Sequence, residues 1–235
     1  MAVTLQNALD KIGYQGSPSV SSSALDVLCY KFAQKCPMST IHIDGTLRSA
    51  NETEFIDRII TQGIGGVCIE LAVVFKWMLD QIGFESRLVE IQSDNGNWDE
   101  RAGVIVSVEN REWFCAFGFS KLKLCKPIAV ETGYARGQVK VVYEGGSYCV
   151  KNTSNDAYLK FKTVSKNISH WNASCETYSV SGRVVDKNVI AIHVDEFTSR
   201  MYYNGRIIEI NHDSIDLRDY DNESMIELFC YSGTI

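Results

Sequence analysis

A cysteine that follows paired glycines and opens an apolar run is placed for nucleophilic chemistry. Cys68 stands in that position, in Gly65-Gly66-Val67-Cys68-Ile69-Glu70-Leu71. At a helix start, free backbone N–H groups and the positive end of the dipole favour a thiolate, the reactive form of the side chain. A thiol nucleophile also needs a proton acceptor, and histidine is the usual one. The chain has four histidines, and none lies between His42 and His170. His42 is expected at a strand edge or on the surface. His170, His193 and His212 show no ligand spacing. Glu70 is two residues past Cys68, so on a helix the two side chains do not face each other. It is expected in a structural hydrogen bond or ion pair. The competing reading of Cys68 is a small buried core residue.

The eight cysteines are scattered and form no Cys-x-x-Cys pair. This spacing argues against a compact zinc site and against a disulfide scaffold. Reduced thiols in a cytoplasmic protein are the expectation, with no metal. Cys115 is expected as a packed inward thiol rather than a redox partner of Cys68.

The elements that must position Cys68 follow from periodicity and punctuation. Thr4–Ile12 is a short amphipathic stretch stopped by Gly13, and Ser21-Ser22-Ser23 offers caps for a helix over Ala24–Lys35, which Pro37 ends. A further short helix is expected over Thr53–Thr61. Cys68–Ile82 is apolar almost all round and predicts a buried helix, closed by Gly83. Beyond Gly83 the pattern becomes β. Strands are expected over Arg87–Ile91, Val104–Val108, Trp113–Phe117, Val139–Tyr143, Tyr148–Lys151, Tyr158–Val164, Val189–His193, Met201–Tyr203 and Ile207–Ile210. Asn204-Gly205 is a hairpin signal of the I′ type. Glu223–Tyr231 reads as a last helix. Helices first, a β-rich middle and a small mixed end predict an α+β fold.

At 235 residues the chain can bury a substantial core. A net charge of −6 argues against nucleic-acid or anionic-membrane binding. No apolar stretch reaches the ~18 residues that span a bilayer, and the start of the chain does not read as a signal peptide.

These motifs, taken in order, resemble the arylamine N-acetyltransferases nearly end to end. Leu9-Asp10-Lys11-Ile12-Gly13-Tyr14-Gln15-Gly16 is similar to the opening motif of that family, and Pro37-Met38-Ser39-Thr40-Ile41 stands where Pro-Phe-Glu-Asn-Leu is usual. The Cys68 run resembles Arg-Gly-Gly-x-Cys-x-Glu. Ile82-Gly83-Phe84, Gly118-Phe119-Ser120 and Lys126-Pro127-Ile128-Ala129-Val130 are similar to the family's later motifs. The resemblance implies the family's arylamine N-acetyltransferase-like fold within the papain-like cysteine superfamily. That is a helical bundle over residues 1–84, a β-barrel over 85–185 and an α/β lid over 186–235. It further implies acetyl-CoA or CoA as cofactor, and acetyl transfer through Cys68 to an arylamine-type ligand. In such enzymes a histidine activates the cysteine and an aspartate orients the histidine.

The chain departs from that pattern at the base. Ala116 stands at the aspartate position, and Arg101 or a near neighbour at the histidine position. Ile64 replaces the arginine before the glycines. Losing base and orienter costs several orders of magnitude in triad enzymes. The expectation is therefore a pseudoenzyme, binding a small molecule or a protein partner. The alternative is an active acetyltransferase using Cys68 with non-standard partners. A papain-like hydrolase or transglutaminase-type fold would need the same absent histidine.

Overall fold

In the computed structural model the run that begins at Cys68 is a helix with the expected bounds, α4 (Cys68–Ile82). The structure describes residues 3–40, 49–93, 96–118, 122, 124–154, 157–180, 189–193, 199–203, 206–210 and 215–219. Gly83 closes α4 at φ +103°, a left-handed conformation that glycine adopts without a side-chain penalty. Before it come α1 (Leu5–Lys11), α2 (Ser22–Lys35) and α3 (Glu52–Ile56), the last running into a π-helical turn at Asp57–Thr61. Side-chain caps set all three starts. Thr4 accepts from the Asn7 N–H, Ser21 from Ala24 and Asn51 from Glu54.

The β-rich middle forms one antiparallel sheet of eight strands. In chain order they are β2 (Glu85–Ile91), β3 (Arg101–Val108), β4 (Arg111–Cys115), β5 (Ile128–Ala129), β6 (Ala135–Arg136), β7 (Val139–Glu144), β8 (Ser147–Asn152) and β9 (Tyr158–Phe161). Their spatial order is β5-β4-β3-β2-β9-β8-β7-β6. A second sheet of five strands joins β1 (Met38–Ser39) to β10 (Val189–His193), β11 (Ser199–Tyr203), β12 (Arg206–Ile210) and β13 (Ile215–Asp219). β11 and β12 pair with Tyr203 opposite Arg206, the register a two-residue hairpin requires. Asn204-Gly205 itself lies outside the described residues, as does the expected helix Glu223–Tyr231.

Alternation along the central strands separates two cores. Leu88, Ala102, Val104 and Val106 face the helices, whereas Val89, Ile91, Ile105 and Phe114 face the barrel interior. On the helical side Phe32, Phe75 and Phe117 form a mutual cluster with ring centroids 4.7–5.0 Å apart. On the barrel side Phe114 stacks on Phe161 at 3.9 Å. β1, β5 and β6, of two residues each, carry too little periodicity to be read from sequence, whereas β13 was not expected although its residues alternate. The 3-10 turn Ile168–Trp171 and α5 (Asn172–Val180) also fall where the sequence suggested no helix. Trp171, fully buried, anchors them to the helical core. No described helix is long and apolar enough to cross a membrane.

Candidate active site around Cys68

The approach to Cys68 is shaped by Gly65 and Gly66. Gly65 sits at φ +82°, and a Cβ there would lie 2.3 Å from the Pro37 carbonyl oxygen. Any other residue would push away the Pro37–Ser39 segment. That segment is bonded to the glycines directly. The Gly66 N–H donates to the Pro37 oxygen at 3.2 Å, and the Ser39 N–H donates to the Gly66 oxygen at 3.0 Å. Met38 and Ser39 in turn pair with β10, so the nucleophile loop is tied to the second sheet. From the other side Gly118, at φ +84°, brings its backbone against the site. A Cβ on it would lie 3.2 Å from Met38 and 3.6 Å from Cys68 Cβ.

Cys68 is partly buried at the first turn of α4. Burial pushes its thiol above the ordinary range. The Arg101 guanidinium and the N–H groups of Ala102 and Ile69 pull it back down, and the Glu70 carboxylate raises it. The net direction is upward. β3 supplies both Arg101 and the Ala102 N–H, and α4 supplies the Ile69 N–H that a helix start leaves free.

Glu70 is committed elsewhere, as its spacing predicted. Its Oε2 accepts the Val67 N–H at 2.9 Å, and its Oε1 meets Arg58 Nη2 at 2.5 Å. Both side chains of that pair are buried. A buried carboxylate requires such compensation. Arg58, on the π-helical turn, is a residue the sequence reading missed; only its spacing from the apolar Phe55, Ile59 and Ile60 hinted at an inward place. Cys175 on α5 was also missed. It lies within electrostatic reach of Glu70 and Cys68, and burial pushes its thiol up to about 12. The Ser174 hydroxyl donates to the Asp99 carbonyl at 2.5 Å, so α5 holds the segment that leads into Arg101.

The remaining candidates go elsewhere. Ala116 is buried with Phe114 in the barrel cluster. Cys115 faces the helices, where its thiol interacts with Cys29 rather than Cys68. His170 Nε2 lies 2.9 Å from the buried Glu90 carboxylate, with Lys162 and Lys166 at 3.5 and 3.4 Å from the same group. His42 and His212 lie outside the described residues. Among the described residues no group of three or more His, Cys, Asp or Glu is arranged to hold a metal. The described cysteines are all free thiols.

The fold defined by this helix-borne thiol, the eight-stranded sheet and the second sheet is that of the arylamine N-acetyltransferases. The structure is similar to the enzyme from Salmonella typhimurium, with a TM-score of 0.85 at 15% identity over 98% of this chain and 92% of that one. The Mycobacterium tuberculosis enzyme is similar at 0.85 and 12% identity, covering 97% and 94%. The Mycobacterium marinum enzyme, solved in complex with CoA, is similar at 0.82 and 13% identity, covering 95% and 89%. No curated protein sequence matches the chain significantly. The sequence profile of the N-acetyltransferase family matches residues 23–227, and the chain belongs to that family.

Proposed function

We propose that this protein keeps Cys68 in the nucleophile position and binds CoA or acetyl-CoA beside it, but has lost base-assisted acetyl transfer to arylamines. The observation that carries this reading is Arg101. At the start of β3, it is a positive charge that acts on the Cys68 thiol, and a guanidinium donates hydrogen bonds but accepts no proton. Ala116, buried among apolar side chains, suits a site whose second polar member was removed and repacked. Cys68 is half-buried, and the Ile69 and Ala102 N–H groups favour charge on its sulfur, which fits a nucleophile position for a thioester. The CoA complex of the M. marinum relative supports the ligand class.

The protein is then a pseudoenzyme with respect to arylamines, serving as a small-molecule or protein-binding module. Its free thiols suit a reducing, cytoplasmic setting. Thermal denaturation with CoA and acetyl-CoA tests the binding half, with a stabilisation that grows with ligand concentration expected. A flat response to both ligands overturns it. For the catalytic half, the double variant Arg101→His, Ala116→Asp is expected to raise arylamine acetylation by about 10²–10⁴, the usual contribution of general acid–base catalysis. Wild-type turnover equal to that of the double variant would show that no base had been lost.

A further inference from the structure

A buried ion pair lies behind the Cys68 loop. The Arg58 and Glu70 side chains are 5% and 9% exposed, and replacing such a pair by packed apolar side chains is often neutral or stabilising. Hydrogen bonding does not explain it either. Arg58 Nη2 lies 2.5 Å from Glu70 Oε1, yet neither Nη2 nor Nε makes a hydrogen bond among the described residues. The contact is one of charge. Two backbone features assemble it. The π-helical turn Asp57–Thr61, closed by the Gln62 N–H on the Asp57 carbonyl at 3.1 Å, buries Arg58 with Ile59 and Ile60. Such turns are frequent at functional sites. The Ile64 N–H then donates to the Arg58 carbonyl at 3.3 Å, so Arg58 lies against the position where Ile64 stands in place of the family's usual arginine. At Gly66 a Cβ would come within 2.7 Å of Glu70 Oε2. The glycine therefore leaves room for that oxygen to accept the Val67 N–H at 2.9 Å.

From this arrangement we infer that Arg58 is a positioning residue for Cys68: its charge holds the Glu70 carboxylate against the Val67 N–H, one residue before the nucleophile, and offsets that carboxylate's field at the sulfur. The positive charge missing at position 64 is supplied from the π-helical turn instead. This role belongs to the thiol itself and is independent of any acyl-CoA it receives. The surrounding charges agree with it. Glu54 on α3 meets Arg58 Nη1 at 3.3 Å from a largely exposed place, where water screens it. Arg101 on β3 acts on Cys68, where Glu70 opposes it. On α5, burial, Glu70, Cys68 and Glu176 raise the Cys175 thiol and Arg58 lowers it. Arg58 and Glu70 thus act with opposite sign on the thiol groups beside them. Removing either partner alone leaves a buried charge uncompensated, and removing both does not.

Iodoacetamide labelling of Cys68 in the full chain, without CoA and read by peptide mass, compares wild type with Arg58→Met, Glu70→Gln and the double variant across pH 7 to 9. Cys36, buried in the helical core, reports general opening in the same spectra. Arg58→Met leaves the carboxylate uncompensated and is expected to slow Cys68 labelling about three- to tenfold at a given pH, the effect of one nearby charge. Glu70→Gln leaves the guanidinium uncompensated, and a guanidinium does not shed its proton. It is expected to speed labelling by a similar factor, while the glutamine carbonyl still accepts the Val67 N–H. The double variant returns close to the wild-type profile. A mere structural brace would move both single variants the same way. Rates that move together in either direction, in step with Cys36 or not, overturn the inference, as do rates that do not move. If Arg58→Met fails to fold, the other two variants decide. Faster labelling in Glu70→Gln and its reversal in the double variant support the inference, and a Glu70→Gln rate at or below wild type overturns it.

Discussion

Cys68 has three groups that favour its anion, yet burial outweighs them and its thiol sits above the ordinary range. The sign matters for reactivity. A raised thiol is mostly protonated at neutral pH, and its alkylation rate climbs with pH past ~8.5, where an ordinary exposed cysteine begins to level off. Iodoacetamide labelling of Cys68 against pH, read by peptide mass, is expected to show that late rise. Arg101 lowers the thiol, so Arg101→Ala should slow labelling at a fixed neutral pH by about two- to fivefold. That corresponds to a partly exposed charge interaction of ~0.4–1 kcal/mol. Faster labelling in the variant would remove Arg101 from the site. The nucleophile position was legible in the residues because a glycine pair before a helix is a local pattern. The partners were not, since Arg58, Arg101 and Cys175 come from three separate elements.

At the scale of elements, two turns hold the parts together. Gly65 occupies a left-handed conformation against the Pro37 carbonyl. Gly65→Ala pays ~1–2 kcal/mol for the backbone conformation alone, and the 2.3 Å approach adds to it. Urea denaturation should show a loss of at least that size, together with slower or altered Cys68 labelling as Met38 shifts. The second turn is the β3–β4 hairpin, where Glu109 and Asn110 both take positive φ, 55° and 59°. Its tip reaches back to the helices. The Glu109 carboxylate accepts from the Ser22 N–H at 3.2 Å and its hydroxyl at 2.7 Å, at the start of α2. Those bonds hold the Glu109 carboxyl below its ordinary range. A depressed carboxyl contributes stability that is present above its unfolded value of ~4.3 and is lost as pH falls through the folded value. Glu109→Gln should therefore melt below wild type at pH 7, with the gap closing at pH 3. A gap independent of pH would mean the contact acts by shape and not by charge.

Over the whole molecule, six of the described thiols are buried, and three of them illustrate what this does to ionisation. Cys36 and Cys175 are pushed up to about 12 and Cys125 to about 11, chiefly by burial. For groups raised in this way the contribution to stability is intact below the unfolded value of ~8.5 and is lost as pH rises toward the folded value. Each such thiol weakens the fold by up to ~1.4 kcal/mol per pH unit in that window. Urea midpoints under reducing conditions should fall steeply between pH 8.5 and 10, and Cys36→Ala should soften the slope. A midpoint unchanged across that range would show that these thiols ionise in the folded state.

The amino-acid sequence by itself determined the α+β class, the order of the N-terminal helices and main strands, and the start of α4 at Cys68. These features are encoded over a few neighbouring residues, in periodicity, caps and glycine turns. It also revealed the order of motifs that identifies the family. It did not reveal β1, a strand of two residues whose pairing partner β10 lies about 150 positions away, a separation no local pattern reports. Nor did it show that Arg58 neutralises Glu70, that Arg101 and the Ala102 N–H act on the Cys68 thiol, or that α5 brings Cys175 within electrostatic reach of it. Only tertiary structure decides which charges share a desolvated space, because that depends on how distant segments pack and not on what any of them prefers alone.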